Sequence, residues 1–230
     1  SERHLTLLKE VLKDIGIKTL GFFPRSYPAL KLKSRHLGLA PAHELEDFKK
    51  RVEAFANLAE SNLDLEVFQK LLQPPKASLD PISALKQLHN SKQNHTPLPI
   101  AIAEDQAFHF RYPETKECLE ALGMPVIQWK PTENEPIPPN AKGIILPGGF
   151  PEQHAAELSK SSRSLLSLKE CFGKRPIYAE CGGMLLLGQT LTDSNGKRHK
   201  MAGILPFHAK EGELKVGYRD IKGIQNSLII

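Results

Sequence analysis

The sequence predicts an α/β fold built on a parallel sheet with helices on both faces. Three observations predict it. From residue 98 onward, short apolar runs alternate with amphipathic stretches, the pattern of repeated βα units. Two of those runs end in Gly-Gly turns that open helices, at Gly148-Gly149 and Gly182-Gly183. Ahead of them, residues 74–97 carry Pro74, Pro75, Pro81, Asn90, Asn94 and Pro97 in linker-like company, so a helix-rich beginning is set apart from the βα region.

The elements follow in order. Leu5, Leu8, Val11 and Leu12 recur at helical spacing up to Gly16, and residues 17–23 read as a buried strand ended by Pro24. A long helix starts near Pro41 and places Phe48, Val52, Phe55 and Ala56 on one face; a second uses Leu65, Phe68, Leu71 and Leu72. Within residues 74–97 one short helix is expected over 82–88. Then come strands at 99–103, 125–129, 142–146 and 175–179. Helices are expected at 112–122, around 152–160 and 164–172, and at 183–189. A helix feeding a strand at the very beginning reads as the tail of a larger domain.

Composition limits the function classes. The chain has 230 residues, 40% of them hydrophobic and 25% charged, enough to bury a core and too apolar for disorder. The longest apolar runs, such as residues 184–187, fall far short of the ~18 residues of a membrane helix, and no signal peptide precedes them. Three cysteines, Cys118, Cys171 and Cys181, are too few for a disulfide framework and too scattered for a zinc site; no metal site is expected, and a cytoplasmic setting fits. The net charge of +5 is spread: residues 1–97 carry 15 Lys and Arg against 11 Asp and Glu, and residues 98–230 carry 16 against 15. A nucleic-acid footprint would cluster, so that class is excluded.

The chemistry concentrates at Tyr178-Ala-Glu-Cys-Gly-Gly-Met, where an apolar strand runs into Cys181 and two glycines open a helix. That is the layout of a nucleophile elbow, a tight turn that needs small neighbours such as Ala179 and Gly183 and lifts the nucleophile above the sheet edge. Backbone N–H groups at the helix start would favour the reactive thiolate. Ile144-Ile-Leu-Pro-Gly-Gly-Phe-Pro-Glu is a second strand ending in a Gly-Gly turn, and its N–H groups could converge on a developing oxyanion.

These residues carry a resemblance. Residues 98–219 resemble the glutamine amidotransferase domain of the cobyrinic acid a,c-diamide synthase family, a branch of the class I triad amidotransferases. The match runs through Ala101-Ile-Ala-Glu-Asp-Gln-Ala-Phe-His-Phe-Arg-Tyr-Pro-Glu, Pro147-Gly-Gly-Phe-Pro-Glu, the Cys181 elbow, Met201-Ala-Gly-Ile-Leu-Pro and Gly217-Tyr-Arg. Residues 1–73 resemble the end of that family's ATP-dependent synthetase domain, which is itself similar to dethiobiotin synthetase. The matches there are Ser1-Glu-Arg-His, Gly21-Phe-Phe-Pro-Arg, and Ser34-Arg-His-Leu-Gly-Leu with Pro41-Ala-His-Glu.

The resemblance implies a three-layer amidotransferase domain over residues 98–230, a linker over 74–97, and part of a P-loop domain over 1–73. It implies Cys181 as the catalytic nucleophile, Gly148, Gly149, Phe150 and Gly182 as oxyanion and glutamine-binding residues, and Pro24 and Arg25 on the nucleotide side. Its implied substrates are glutamine, ATP with Mg2+, and cobyrinic acid, whose a and c carboxylates are amidated on the way to cobalamin; a homodimer is compatible with it. No G-x-x-x-x-G-K-[ST] motif and no His after His208 occur here, so the P-loop and the catalytic His are expected outside these residues. Within the domain, His109, His154, His199 and His208 are the imidazoles at hand, with His199 read as a loop residue after Asn195-Gly196. Leu185 stands where sister branches carry a Gln, which favours the a,c-diamide branch. The alternatives are a fragment or degenerate chain without catalysis, or the same chemistry on hydrogenobyrinic acid or a nickel sirohydrochlorin.

Overall fold

The computed structural model describes residues 2–23, 45, 47–73, 80–90 and 96–212. The chain divides into two compact units, Ser1–Ser78 and Leu79–Ile230. Among the described residues no helix is long and apolar enough to cross a membrane.

In the first unit, the helical spacing of Leu and Val forms α1, Glu2–Asp14. It stops where Gly16 takes φ 75°: the Gly16 N–H donates to Lys13 O and the Ile17 N–H to Leu12 O, a paired closure of the last turn. Helix α2, Phe48–Asn62, buries Leu58, the one buried hydrophobic among the unit's described residues. Helix α3, Leu65–Leu71, begins on Asp64, whose carboxylate accepts from the Val67 N–H at 3.0 Å. The strand expected over residues 17–23 does not form among the described residues. Gly21 alone pairs, in an isolated antiparallel bridge with Leu63. Leu63 lies between α2 and α3 and offers a single residue, so no ladder can extend from it. Pro24 and Arg25, and the matches at 34–39 and 41–44, lie outside the described residues.

In the second unit, α4 (Pro81–Asn90) packs against α5 (Glu114–Ala121). Strands β1 (Ile100–Ala103), β2 (Val126–Trp129), β3 (Gly143–Leu146) and β4 (Ile177–Ala179) form one sheet in the order β2-β1-β3-β4, parallel throughout. The α/β parallel-sheet expectation is therefore what the chain adopts. Alternate residues share a face, and Ala101, Ala103, Trp129, Ile144 and Leu146 turn theirs into the core. Helices α6 (Ala155–Lys160) and α7 (Ser162–Cys171) bring Leu158, Leu168 and Cys171 into the same cluster. Trp129 is fully buried because its ring N–H is satisfied, donating to Glu135 O at 2.7 Å.

Two local differences from the sequence-based expectation matter. The helix expected over 183–189 is only α8, Gly182–Leu185. Beyond it the carbonyls that would continue the ladder are taken by distant donors: Leu186 O accepts from the Ala202 N–H and Leu187 O from those of Ile204 and Leu205. Residues beyond α8, to which the sequence assigns no element, form a second sheet of β5 (Thr190–Thr192), β6 (Arg198–Lys200) and β7 (His208–Ala209), in the order β6-β5-β7. His199 accordingly sits in a strand and is buried, not in a loop: alternation along β6 points it inward while Arg198 and Lys200 face out.

The first sheet is where a site belongs. Chain order reverses between β1 and β3, which go to opposite sides from their successors, and a crevice opens above the carboxyl ends at such a point. The loop after β1 and the turn after β3 flank it.

Candidate active site

β4 delivers the chain to Cys181, the residue before α8. Cys181 takes φ 48° and ψ −121°, a conformation costing a non-glycine residue on the order of 1–3 kcal/mol. The neighbouring bonds impose it. The Glu180 N–H donates to Leu146 O at 3.1 Å, the Gly183 N–H to Glu180 O at 2.8 Å and the Met184 N–H to Cys181 O at 3.2 Å. The strained turn leaves the thiol exposed, whereas Cys171 is buried and Cys118 half-buried. The Cys181 thiol has no hydrogen-bond partner among the described residues.

Space, not backbone angle, demands the two glycines that follow. A Cβ at Gly183 would collide with the Leu146 carbonyl and lie 2.7 Å from Pro147 O; one at Gly182 would lie 2.7 Å from Gly149 O and 2.8 Å from the Pro151 ring. The elbow and the turn after β3 are therefore in direct backbone contact. On the other side of the elbow, the Tyr178 hydroxyl donates to the Glu180 carboxylate at 2.9 Å, and that bond pushes the phenol above its ordinary range.

The turn carries Gly148, Gly149 and Phe150. The Phe150 N–H is spent on Ala107 O at 3.0 Å, and Gly148 O accepts from the Phe110 N–H at 3.0 Å. A Cβ at Gly149 would collide with the Ala107 carbonyl. By contrast, neither the Gly149 nor the Gly182 N–H has an acceptor among the described residues. Two unspent amide donors thus lie on touching segments beside an exposed thiol. Phe150 contributes a buried ring, tilted against His109 at 5.9 Å between centroids.

The loop that grips this turn, residues 104–111, is held in turn by Asp105. Its Oδ1 accepts from the Ala107 and Phe108 N–H groups at 2.9 and 3.2 Å; its Oδ2 accepts from the Thr132 N–H and hydroxyl, both at 2.8 Å. Thr132 belongs to the short 3-10 turn Pro131–Glu133 after β2. Beside it, Arg111 pairs with Glu104 at 2.7 Å. In the sequence Asp105 stands out only as one member of a motif, since its partner Thr132 is 27 residues away.

The imidazoles have other partners. His109 Nδ1 lies 3.1 Å from Gln106 O, His154 Nδ1 3.2 Å from the Glu157 carboxylate, His199 Nε2 2.8 Å from Asp193 Oδ2, and His208 Nδ1 2.9 Å from Thr190 Oγ1. Glu157 also accepts from the Gln106 amide at 2.9 Å. Among the described residues no three His, Cys, Asp or Glu side chains gather as a metal cage.

Residues 99–225 match the model of the CobB/CobQ-like glutamine amidotransferase domain, more than half of the chain. The chain belongs to that family. Among curated proteins it is 38% identical over 210 residues to the cobyrinate a,c-diamide synthase of Caldanaerobacter subterraneus subsp. tengcongensis, an alignment covering 90% of this chain and 44% of the relative. The cobyrinate a,c-diamide synthase of Gloeobacter violaceus is 37% identical, covering 100% of this chain and 49% of the relative. The hydrogenobyrinate a,c-diamide synthase of Brucella abortus is 34% identical, covering 95% and 49%. The chain spans about half the length of these relatives. In this CobB/CobQ-like domain the elbow and the Gly-Gly turn both fall inside the matched region, whereas Pro24 and Arg25 lie ahead of it.

Proposed function

We propose that Cys181 is the nucleophile of a glutamine amidotransferase whose full-length protein amidates the a and c carboxylates of cobyrinic acid in the cytoplasm. The carrying observation is the exposed Cys181 thiol held at positive φ beside two unspent N–H groups. A chain that kept the fold without the chemistry would have no use for a strained, solvent-facing cysteine.

In this reading the Cys181 thiolate attacks the side-chain amide carbon of glutamine, forming a C–S bond. The carbonyl electron pair moves onto oxygen, and the oxyanion is received by the Gly149 and Gly182 N–H groups. Collapse expels the amide nitrogen, which takes a proton and leaves as ammonia; a γ-glutamyl thioester remains, and water hydrolyses it to glutamate. Gly148 shapes the turn and the buried Phe150 ring backs it. The proton must be carried from thiol to leaving nitrogen by an imidazole. The partners of His109, His154, His199 and His208 favour an imidazole from elsewhere in the full-length protein.

Residues 1–73 are read as part of an ATP-dependent synthetase domain, 74–97 as the linker and 98–230 as the amidotransferase domain. In the synthetase domain ATP with Mg2+ would activate each corrin carboxylate by phosphorylation, and ammonia would displace phosphate. No cluster among the described residues fits the metal, so the steps assigned to this chain's own residues are those of Cys181 and its surroundings. Pro24 and Arg25 remain candidates for the nucleotide side. The Brucella relative named a hydrogenobyrinate synthase, at nearly the same identity, supports a second reading in which the ring is metal-free.

The test is ATP-dependent amidation by the full-length protein with cobyrinic or hydrogenobyrinic acid. Cys181→Ala is expected to abolish the glutamine-dependent reaction and to leave the ammonia-dependent one intact. Glutamine-dependent amidation surviving in that variant would refute the nucleophile.

A further inference from the structure

We infer that Asp105 is a positioning residue of the glutaminase site, holding the backbone that aims the Gly149 N–H. This inference rests on the proposed amidotransferase reading and adds a residue to it. The Asp105 carboxylate accepts four hydrogen bonds from two separate segments, the Ala107 and Phe108 N–H groups of its own loop and the N–H and hydroxyl of Thr132. A single side chain therefore bolts the loop after β1 to the turn after β2.

What it bolts down is in contact with the site. Ala107 and Phe108 are fully buried. The Ala107 carbonyl accepts from the Phe150 N–H and presses against the Gly149 α-carbon so closely that no Cβ would fit. Two residues further, the Phe110 N–H holds Gly148 O at 3.0 Å. Residues 148–150 are thus clamped at both ends by the loop that Asp105 shapes. The Gly149 carbonyl in turn packs on Gly182, next to Cys181. The order of contacts runs from Asp105 through Ala107 and Gly149 to the elbow.

The carboxylate suits this role better than an amide. All four of its partners are donors, and only a group with acceptors on both oxygens meets them all. Asn would turn an NH2 toward either the Thr132 pair or the loop amides. Ala would leave the Ala107 and Thr132 N–H groups without their acceptor, while the Phe108 N–H would keep the Asp105 main-chain carbonyl. Thr132→Val would delete one bond and keep the rest. Because the geometry of an oxyanion donor governs rate more than substrate affinity, the losses should fall on kcat rather than on the KM for glutamine.

The experiment measures glutamine-dependent and ammonia-dependent amidation by the full-length protein, with the Cys181 alkylation rate as a readout of the elbow. Asp105→Ala is expected to lower the glutamine-dependent kcat by about 10- to 100-fold, the scale of an ångström-size misplacement. Asp105→Asn should fall between it and the wild type, and Thr132→Val should lose a few-fold at most. Ammonia-dependent turnover and Cys181 alkylation should be unchanged in all three. If Asp105→Ala does not fold, Asp105→Asn and Thr132→Val carry the test. A glutamine-dependent kcat equal to wild type in Asp105→Asn, or a parallel fall of ammonia-dependent turnover, would overturn the positioning role. A wild-type protein with no glutamine-dependent amidation would instead sink the amidotransferase reading itself.

Discussion

The carbonyl oxygen of Gly149 lies against the α-carbon of Gly182, close enough that a Cβ there would stand 2.7 Å from it. That contact joins the end of β3 to the end of β4. It puts two turn amides that lack an acceptor among the described residues, Gly149 and Gly182, on touching strands of backbone beside Cys181.

The first prediction concerns that contact. Gly182→Ala and Gly183→Ala should each destabilise the domain by about 1–3 kcal/mol, the usual cost of forcing a methyl into packed surroundings. Gly183→Ala should be the worse, because its new Cβ meets the backbone carbonyls of Leu146 and Pro147, which cannot rotate away. Urea unfolding curves measure it. A neutral Gly183→Ala would show that the elbow is not packed against β3 in this way.

A second prediction uses exposure of the three thiols. Cys181 is exposed, Cys118 half-buried in α5 and Cys171 buried in α7. Brief iodoacetamide treatment followed by mass spectrometry should find label on Cys181 first. Label appearing first on Cys171 would count against the whole placement of the elbow.

Much of this site is legible in the sequence, for a physical reason. A glycine pair directly after an apolar run has few uses, and the β3 and β4 turns use it for close backbone approach at Gly149, Gly182 and Gly183. What is not legible depends on partners far along the chain. Helix α8 ends early because Ala202, Ile204 and Leu205 donate to Leu186 and Leu187. β5 and β6 are too short, at three residues each, for alternation to stand out, so His199 reads as loop. Among the described residues the strand expected at 17–23 finds only the single partner Leu63, a tertiary matter that local β propensity does not carry.

The third prediction follows from the β5–β6 hairpin. The Asp193 carboxyl is held below its ordinary range, chiefly by the bond from His199 and then by the Lys197 and Asn195 N–H groups. A carboxyl with a depressed pKa in the folded state adds stability above its unfolded pKa, and that stability is lost as pH falls through the folded value. Asp193→Asn should therefore lower the urea midpoint at pH 7 and flatten its decline in acid. Superimposable pH profiles for variant and wild type would mean that the bonds to Asp193 add no net stability.

The last prediction asks which imidazole serves Cys181. An amidotransferase thiol deprived of its base typically loses several orders of magnitude in rate, because nucleophile and base act as a unit. His208 in β7 is bonded to Thr190, and His154 at the start of α6 to Glu157. Each is engaged away from the thiol, so His208→Ala and His154→Ala in the full-length protein should keep glutamine-dependent amidation within a few-fold of wild type. His199→Ala should act differently: it removes the partner of Asp193 from a buried position, so its loss should appear as lower stability, with ammonia- and glutamine-dependent rates falling together. His109 lays its ring against Phe150 of the turn, and His109→Ala should raise the KM for glutamine more than it lowers kcat. A fall of about a thousandfold or more in glutamine-dependent kcat, with ammonia-dependent turnover intact, in any one of these four variants would identify that residue as the base. The imidazole would then come from within the matched domain, and the proposal that the rest of the full-length protein supplies it would be wrong.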